Sequence, residues 1–384
     1  MSTADPAMSA PAEDRRTSRI TFLLGKDPSL ARGGDVTLFG LLRRIAEERH
    51  ETSVICLSEE PGRVEPGVVR VAKPPVALPR IAARAALHRR SLVHERFDID
   101  GLVAAVEASE ASGASGGDRV VAVHSYLAEP YLRAAGADPS RLLVSTEVSE
   151  APVWRSRGLA GRVEARRIER DELRIARTAR AIAGYDASEM EARRERGINA
   201  RWLPLTLPPA PAVDVAASSP RLVLLGNRHW SPNARAVDRM LAWWPSIARG
   251  IPGAELWLVG PRPDGPKVAL PGVVDHGEVR DVAPLLAGCR AMVAPVAVGG
   301  GVRVKVLEAA ARGLPVVTSP AGVGSIESLL GLDAVPDDGF VARCRALLGD
   351  ADAAAAEGAR LHATNEALWT GRRGRDAVLD WLDA

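Results

Sequence analysis

The chain has 384 residues, more than one hydrophobic core usually serves at about 100 to 200 residues per domain, so two domains of similar size are expected. Hydrophobic residues at 46% and charged residues at 26% describe an ordinary globular protein and exclude wholesale disorder. With 50 basic against 48 acidic residues the net charge is +2, which excludes a body that binds nucleic acid by charge alone.

Residues 1–17 combine Ala, Ser, Pro and charge without an apolar stretch, and are expected to form a disordered tail and not a signal peptide. Beyond them, short apolar runs alternate with longer helical patterns, the signature of a parallel sheet covered by helices. Strands are predicted at residues 20–24, 53–57, 68–71, 119–123, 142–145 and 181–183, with helices near 35–48, 81–94, 127–135 and 162–178. Together they make one doubly wound domain over residues 18–203. Five prolines among small residues then favour an extended linker over packed structure at 204–220.

The alternation restarts with a strand at 221–225. Ser231, Pro232 and Asn233 follow, where Ser can cap a helix and Pro suits its first turn. That helix should end near residue 250. Strands at 255–259, 273–274, 291–294 and 315–317 and helices at 282–287 and 302–311 complete a second domain, residues 221–365, with the architecture of the first. The Ala-rich stretch 351–359 reads as plain helix. A last helix within 366–384 is expected to fold back toward the first domain. The fold class is therefore α/β, with two Rossmann-like doubly wound domains facing a cleft.

Cys56, Cys289 and Cys344 are far apart and include no CxxC pair, which argues against a disulfide framework and a zinc site and fits a reducing cytoplasm. No apolar run approaches the roughly 18 residues of a membrane span, so any membrane contact would be peripheral. No His, Cys or carboxylate cluster has metal-ligand spacing, and no metal is expected.

The most informative segment is Gly299-Gly300-Gly301-Val302-Arg303-Val304-Lys305-Val306-Leu307-Glu308, continuing through Ala309-Ala310-Ala311-Arg312-Gly313-Leu314-Pro315-Val316-Val317. It follows a predicted strand and opens a helix, so its glycines sit at a strand's carboxyl end, where open parallel sheets bind ligands. Glycines admit an anion to backbone N–H groups, and the helix N-terminus adds partial positive charge, a geometry suited to a diphosphate. Its spacing is neither that of GxGxxG nor that of a Walker A loop, and residues 260–267 lack the GK[ST] ending. The bland alternative is a tight glycine turn with Lys305 and Glu308 in a surface salt bridge.

Residues 299–317 resemble the signature of group 1 (family 4) glycosyltransferases, in which a glycine loop leads into a Glu-Ala-x-Ala-x-Gly-x-Pro-Val-Val helix and strand. The likeness extends back through residues 226–233, Trp257-Leu258-Val259-Gly260-Pro261 and residues 277–279, and more loosely to Gly33-Gly34, Arg49-His50-Glu51-Thr52 and Val123-His124. The resemblance implies a GT-B enzyme whose second domain holds a nucleotide-diphosphate sugar and whose first holds the acceptor, a small molecule, a lipid-linked sugar or a glycan. It implies retention of anomeric configuration by front-face substitution, with no cofactor beyond the donor. On this alignment Gly33, Gly34, Arg228, Gly299, Gly300, Gly301, Arg303, Lys305 and Glu308 are the donor-binding candidates. His124, Arg303 and Lys305 are the catalytic candidates, and Glu308 corresponds to the acid that accepts hydrogen bonds from the ribose.

Two departures stand out. Where many members carry Glu-x7-Glu across the signature, the first position here is Gly300. The family's phosphate-binding lysine is also replaced near Pro232-Asn233, leaving Arg303 and Lys305 as substitutes. Asp98-Ile99-Asp100 and Asp350-Ala351-Asp352 imitate a DxD metal motif, but neither follows a strand, so helix-start carboxylates are expected. The basic stretches 80–96 and 155–180 read as solvated helix faces, the alternative being attraction to an anionic bilayer or to a phosphate-bearing acceptor. A nucleotide-sugar epimerase and a non-catalytic homologue that binds a sugar nucleotide are the competing functions. The first lacks its expected catalytic carboxylates here, and the second is favoured by Gly300.

Overall fold

The structure, a computed structural model, describes residues 18–31, 33–112, 117–265, 268–298 and 303–384. In the first domain β1 (Arg19–Leu24), α1 (Gly34–Ala46), β2 (Glu51–Ser58) and β3 (Val68–Ala72) are followed by three helices, α2 (Leu78–Leu87), α3 (Leu92–Phe97) and α4 (Asp100–Ala111). Next come β4 (Arg119–Val123), α5 (Ala128–Arg133), β5 (Leu142–Thr146), α6 (Ala151–Arg155) and α7 (Gly158–Thr178). The domain ends with β6 (Ala181–Gly184), α8 (Ala187–Arg194) and β7 (Ala200–Trp202). All seven strands are parallel, in the order β3-β2-β1-β4-β5-β6-β7.

The second domain runs β8 (Arg221–Leu225), α9 (Ser231–Ala248), β9 (Glu255–Val259), β10 (Val273–Gly277), α10 (Ala283–Ala287) and β11 (Ala291–Ala294). It continues with α11 (Val304–Ala311), β12 (Val316–Thr318), α12 (Pro320–Val323), α13 (Ile326–Leu330) and α14 (Asp337–Gly349). Its sheet is parallel too, ordered β10-β9-β8-β11-β12. In such sheets the crevice for a ligand lies beyond the strand ends where the order reverses. These reversals fall between β1 and β4 in one domain and between β8 and β11 in the other.

Two final helices, α15 (Ala351–Thr370) and α16 (Arg373–Leu382), leave the second domain. The predicted boundary at 365/366 falls inside α15. The real break is at Gly371-Arg372, where Arg372 adopts φ 60°. Helix α16 packs on α1 of the first domain, burying Val378, Leu379, Trp381 and Leu382. Arg375 pairs with Glu48, and Arg49 with Asp383.

The linker is extended, as the prolines require, but it is also packed. Leu203, Leu205 and Leu207 are buried in the same core as α16. The Leu207 carbonyl accepts from Asn365 Nδ2 at 3.0 Å, and the Ala210 N–H donates to the Ala311 carbonyl at 2.8 Å. Prolines remove donors without preventing side-chain burial, which the composition of the segment could not reveal. The predicted helix at 81–94 is two helices, because the Ser91 side chain accepts from the His94 N–H and starts α3 afresh, with Arg89 at φ 53° before it. Ser231 does not cap α9. It is the first helical residue, and Trp230 holds the cap position without a side-chain bond.

Candidate active site

The two strand-order reversals face one another, and the helices that leave them meet at their N-termini. Gly33, at φ 126°, precedes α1 in the conformation only glycine adopts readily. A Cβ on Gly34 would lie 2.9 Å from the Cβ of Val304, the first residue of α11. The first domain's glycine pair therefore seats directly on the helix that follows β11. Both helices direct unsatisfied N–H groups and the positive ends of their dipoles toward this junction. Gly299, Gly300 and Gly301 lie outside the described residues.

Lys305 and Arg303 enrich the same place in positive charge. The Lys305 ammonium donates to Asn233 Oδ1 at 2.8 Å, and Asn233 Nδ2 donates in turn to the Asn227 carbonyl at 3.0 Å. This places the lysine's charge beside the position where the resembling family carries its phosphate-binding lysine. Burial, with Arg303 close by, pushes the Lys305 pKa down to about 8. The bland pairing of Lys305 with Glu308 does not form. Glu308 instead faces Arg312 at 3.9 Å, and burial raises its pKa against the pull of that arginine. Burial likewise lowers the Arg303 pKa, opposed by Asp186 and Glu189 of the first domain.

Arg228 is placed differently from the other cationic candidates. Its guanidinium makes a buried, bidentate pair with Asp275 at 2.7 and 2.9 Å and donates to the Gly260 carbonyl at 3.0 Å. Its charge is thus neutralised within the protein, where it ties the loops after β8 and β9 to the end of β10. Close backbone approach in this corner explains two glycines. A Cβ on Gly226 would meet Asn233 at 2.7 Å, and one on Gly260 the Gly226 carbonyl at 2.3 Å.

On the first-domain side, His124 follows β4 with φ 90°, a strained conformation for a non-glycine residue. Its N–H donates to the Ser145 carbonyl at 2.8 Å, and its ring stacks on Tyr126, which stacks on Phe97. Buried beneath this turn, His94 is pushed down to about 4 by desolvation and is neutral, with Nε2 3.3 Å from Ser125 Oγ. His124 Nε2 stands 3.5 Å from Glu147 Oε2 in the loop after β5. Burial opposes the charged imidazole, yet Glu147, aided by Glu150 and Asp35, raises its pKa above 6.5. Among the described residues neither His124 Nδ1 nor Glu147 Oε1, both buried atoms, has a hydrogen-bond partner.

Of the residues expected from the sequence, the structure brings Gly34 beside the start of α11 and sets Lys305 on Asn233, while His124 lies on the first-domain side; Glu147, Tyr126 and Asp275 were not among the expected site residues. Asp98 is spent on Arg90 and Arg133, and Asp350 caps α15, so neither DxD sequence reaches the cleft. Among the described residues no group of three or more His, Cys, Asp or Glu could hold a metal ion.

Residues 219–363 match the family model for glycosyl transferases group 1. Comparison with curated proteins finds no match. Among solved structures the chain is similar to WaaG, a glycosyltransferase involved in lipopolysaccharide biosynthesis, at 14% identity and a TM-score of 0.64 over 94% of this chain and 98% of that one. It is similar to sucrose-phosphate synthase from Thermosynechococcus elongatus at 17% identity and a TM-score of 0.65, covering 94% and 97%. It is also similar to Anabaena HepE in complex with UDP and glucose, at 13% identity and a TM-score of 0.56 with the same coverage. The expected architecture, two Rossmann-like domains in the GT-B arrangement, is the observed one, and the resemblance of the second domain to group 1 glycosyltransferases is borne out.

Glu147 favours the protonated imidazole, so the pair stabilises the fold below the ordinary histidine value near 6.5, and this contribution is lost as pH rises through the raised value. Replacing Glu147 by Gln should make His124 titrate at lower pH in ring-nitrogen NMR. An unchanged titration would show that Glu147 does not set the charge of His124.

Proposed function

We propose that this chain, a GT-B protein whose second domain belongs to the group 1 glycosyltransferases, transfers a sugar from a nucleoside-diphosphate sugar to an acceptor hydroxyl in the interdomain cleft, with retention and without a metal ion. The observation that carries the reading is the junction of α1 and α11, where Gly33-Gly34, Lys305 and Arg303 surround one place suited to a diphosphate.

The chemistry asks the protein to stabilise negative charge on a departing diphosphate. Preorganised N–H groups and buried cations do this without reorganising when the bond breaks. In front-face substitution the acceptor oxygen bonds to the anomeric carbon on the side from which the diphosphate leaves. A phosphate oxygen takes the acceptor's proton, so no protein nucleophile is needed. Lys305 and Arg303 would neutralise the diphosphate, and the Gly33 and Gly34 N–H groups would approach it from the first domain. Glu308 would accept from the ribose hydroxyls. His124 and Glu147, each with an unpartnered buried polar atom, would bind hydroxyls of the transferred sugar or of the acceptor. Anabaena HepE, of the same fold, was captured with UDP and glucose, which supports a nucleotide-sugar donor here. The acceptor remains a small molecule, a lipid-linked sugar or a glycan.

Incubation with UDP-, GDP- and dTDP-sugars in excess EDTA, followed by product analysis, tests the reaction. A glycosylated product or, without acceptor, slow release of free sugar with retained configuration is expected. An interconverted nucleotide sugar would identify an epimerase, binding without turnover a non-catalytic homologue, and activity restored only by magnesium or manganese a metal-dependent enzyme.

Lys305 loses its charge near pH 8, so nucleoside-diphosphate affinity should fall as pH rises through that value. Lys305→Arg should remove the dependence, and Glu308→Gln should weaken binding by about 1.5 to 3 kcal/mol at every pH. Calorimetric titration from about pH 6.5 to 9.5 would read both effects. Affinity indifferent to both substitutions would place the donor elsewhere.

A further inference from the structure

Helix α2 is oriented against the usual rule for a surface helix, which turns its apolar stripe inward. Arg84 points into the domain and pairs with Glu95 at 2.6 Å, and Ala85 is buried beside it. Leu78, Ala82, Ala83, Ala86 and Leu87 occupy the other half of the helix circumference and are exposed. Leu78 is 67% exposed, Leu87 77%, and Val76 just before the helix 52%. The connection that follows α2 is tied to α7. The Arg89 carbonyl accepts from Arg170, and the Leu92 N–H is held by Glu164. Leu159 and Val163, 80% and 54% exposed, share the outer side of α7 with Arg162, Arg166 and Arg170. Five of the eight large exposed apolar side chains among the described residues thus lie on α2, the segment before it and the outer side of α7.

Its rim is basic. Residues 72–94 contain five Lys or Arg and no acidic side chain, and of the five Lys73, Arg84 and Arg90 pair with Glu59, Glu95 and Asp98. Arg80 and Arg89 on this segment, and Arg162 and Arg166 on α7, make no ion pair among the described residues. We infer that α2, the segment leading into it and the outer face of α7 form a docking surface for an anionic lipid bilayer. Exposed leucines and valines would enter the headgroup boundary while the arginines meet lipid phosphates. A second copy of the chain would bring the same basic rim against itself, which like-charge repulsion disfavours. A bilayer of negative headgroups complements both the apolar face and its border.

The surface also reaches the cleft. The residue after α6, Ser156, accepts from Arg235 of the second domain at 3.0 Å, and α7 begins at Gly158. A membrane lying on this face would present lipid-linked molecules at the cleft's edge on the first-domain side. The docking surface does not depend on the sugar-transfer reading, and its test needs no substrate.

The full chain is sedimented with vesicles of phosphatidylcholine alone and of phosphatidylcholine mixed with phosphatidylglycerol. Binding is expected only to the anionic vesicles, and it should weaken as salt rises from about 0.1 to 0.5 M. Leu78→Glu with Leu87→Glu should cut vesicle affinity about fivefold or more, and Arg80→Glu with Arg89→Glu about 25-fold or more, at roughly a factor of five per removed charge near the surface. All four side chains are exposed, and circular dichroism would verify that each variant is folded. Absence of binding to anionic vesicles, or binding unaffected by both double variants, would overturn the inference. So would a concentration-dependent dimer, seen by light scattering, that Leu78→Glu abolishes.

Discussion

Everything at the candidate site depends on the close approach of Gly34 to Val304. Two parallel sheets each offer a crevice at the point where strand order reverses, but a single crevice supplies only one helix N-terminus. Glycine at position 34 lets the two domains close until α1 and α11 meet, because any Cβ there would collide with Val304. The wider architecture holds that contact in place. The linker is hydrogen-bonded to the end of α11 and to α15, and α16 returns to pack on α1, so the two helices that meet are braced from behind by one continuous core.

Charge around the junction is distributed unequally. Arg228 is sealed against Asp275 and serves as a tie between loops, whereas Lys305 is held by the neutral Asn233 and keeps its charge available. A partly buried cation held by an amide oxygen and not a carboxylate carries an uncompensated desolvation cost, and its pKa is lowered accordingly. That cost falls when an anion arrives. On the facing wall, the strained backbone of His124 and the atoms of His124 and Glu147 that lack a partner among the described residues are a further cost to local stability.

Much of the fold was legible because buried parallel strands are short apolar runs. Strands at the centres of both sheets fall where those runs are, and the glycines before α1 and the Lys305 helix were recognisable from their position after such a strand. Helices α4 and α14 escaped notice because their apolar residues do not gather into one clear stripe, and α8 because it is short and mostly charged. The division between α2 and α3 turns on one serine cap inside a continuous helical pattern. Contacts between distant residues were beyond reach altogether. Asn233 and Lys305 are 72 positions apart, and the substitution of the family lysine near one of them gave no sign that the other would be delivered to it. Glu147 sits in the loop after β5, and only the folded chain shows it facing His124. Arg228 looked like a ligand for phosphate because its partner, Asp275, lies on another strand.

The central claim is that one diphosphate site is built from both domains. Amide hydrogen exchange with and without a nucleoside diphosphate tests it most directly, because the two segments report separately. Bound nucleoside diphosphate should slow exchange both in the first turn of α1, after Gly33-Gly34, and in the first turn of α11, from Arg303 to Leu307. Protection confined to the second domain, or found away from both helix N-termini, would contradict it.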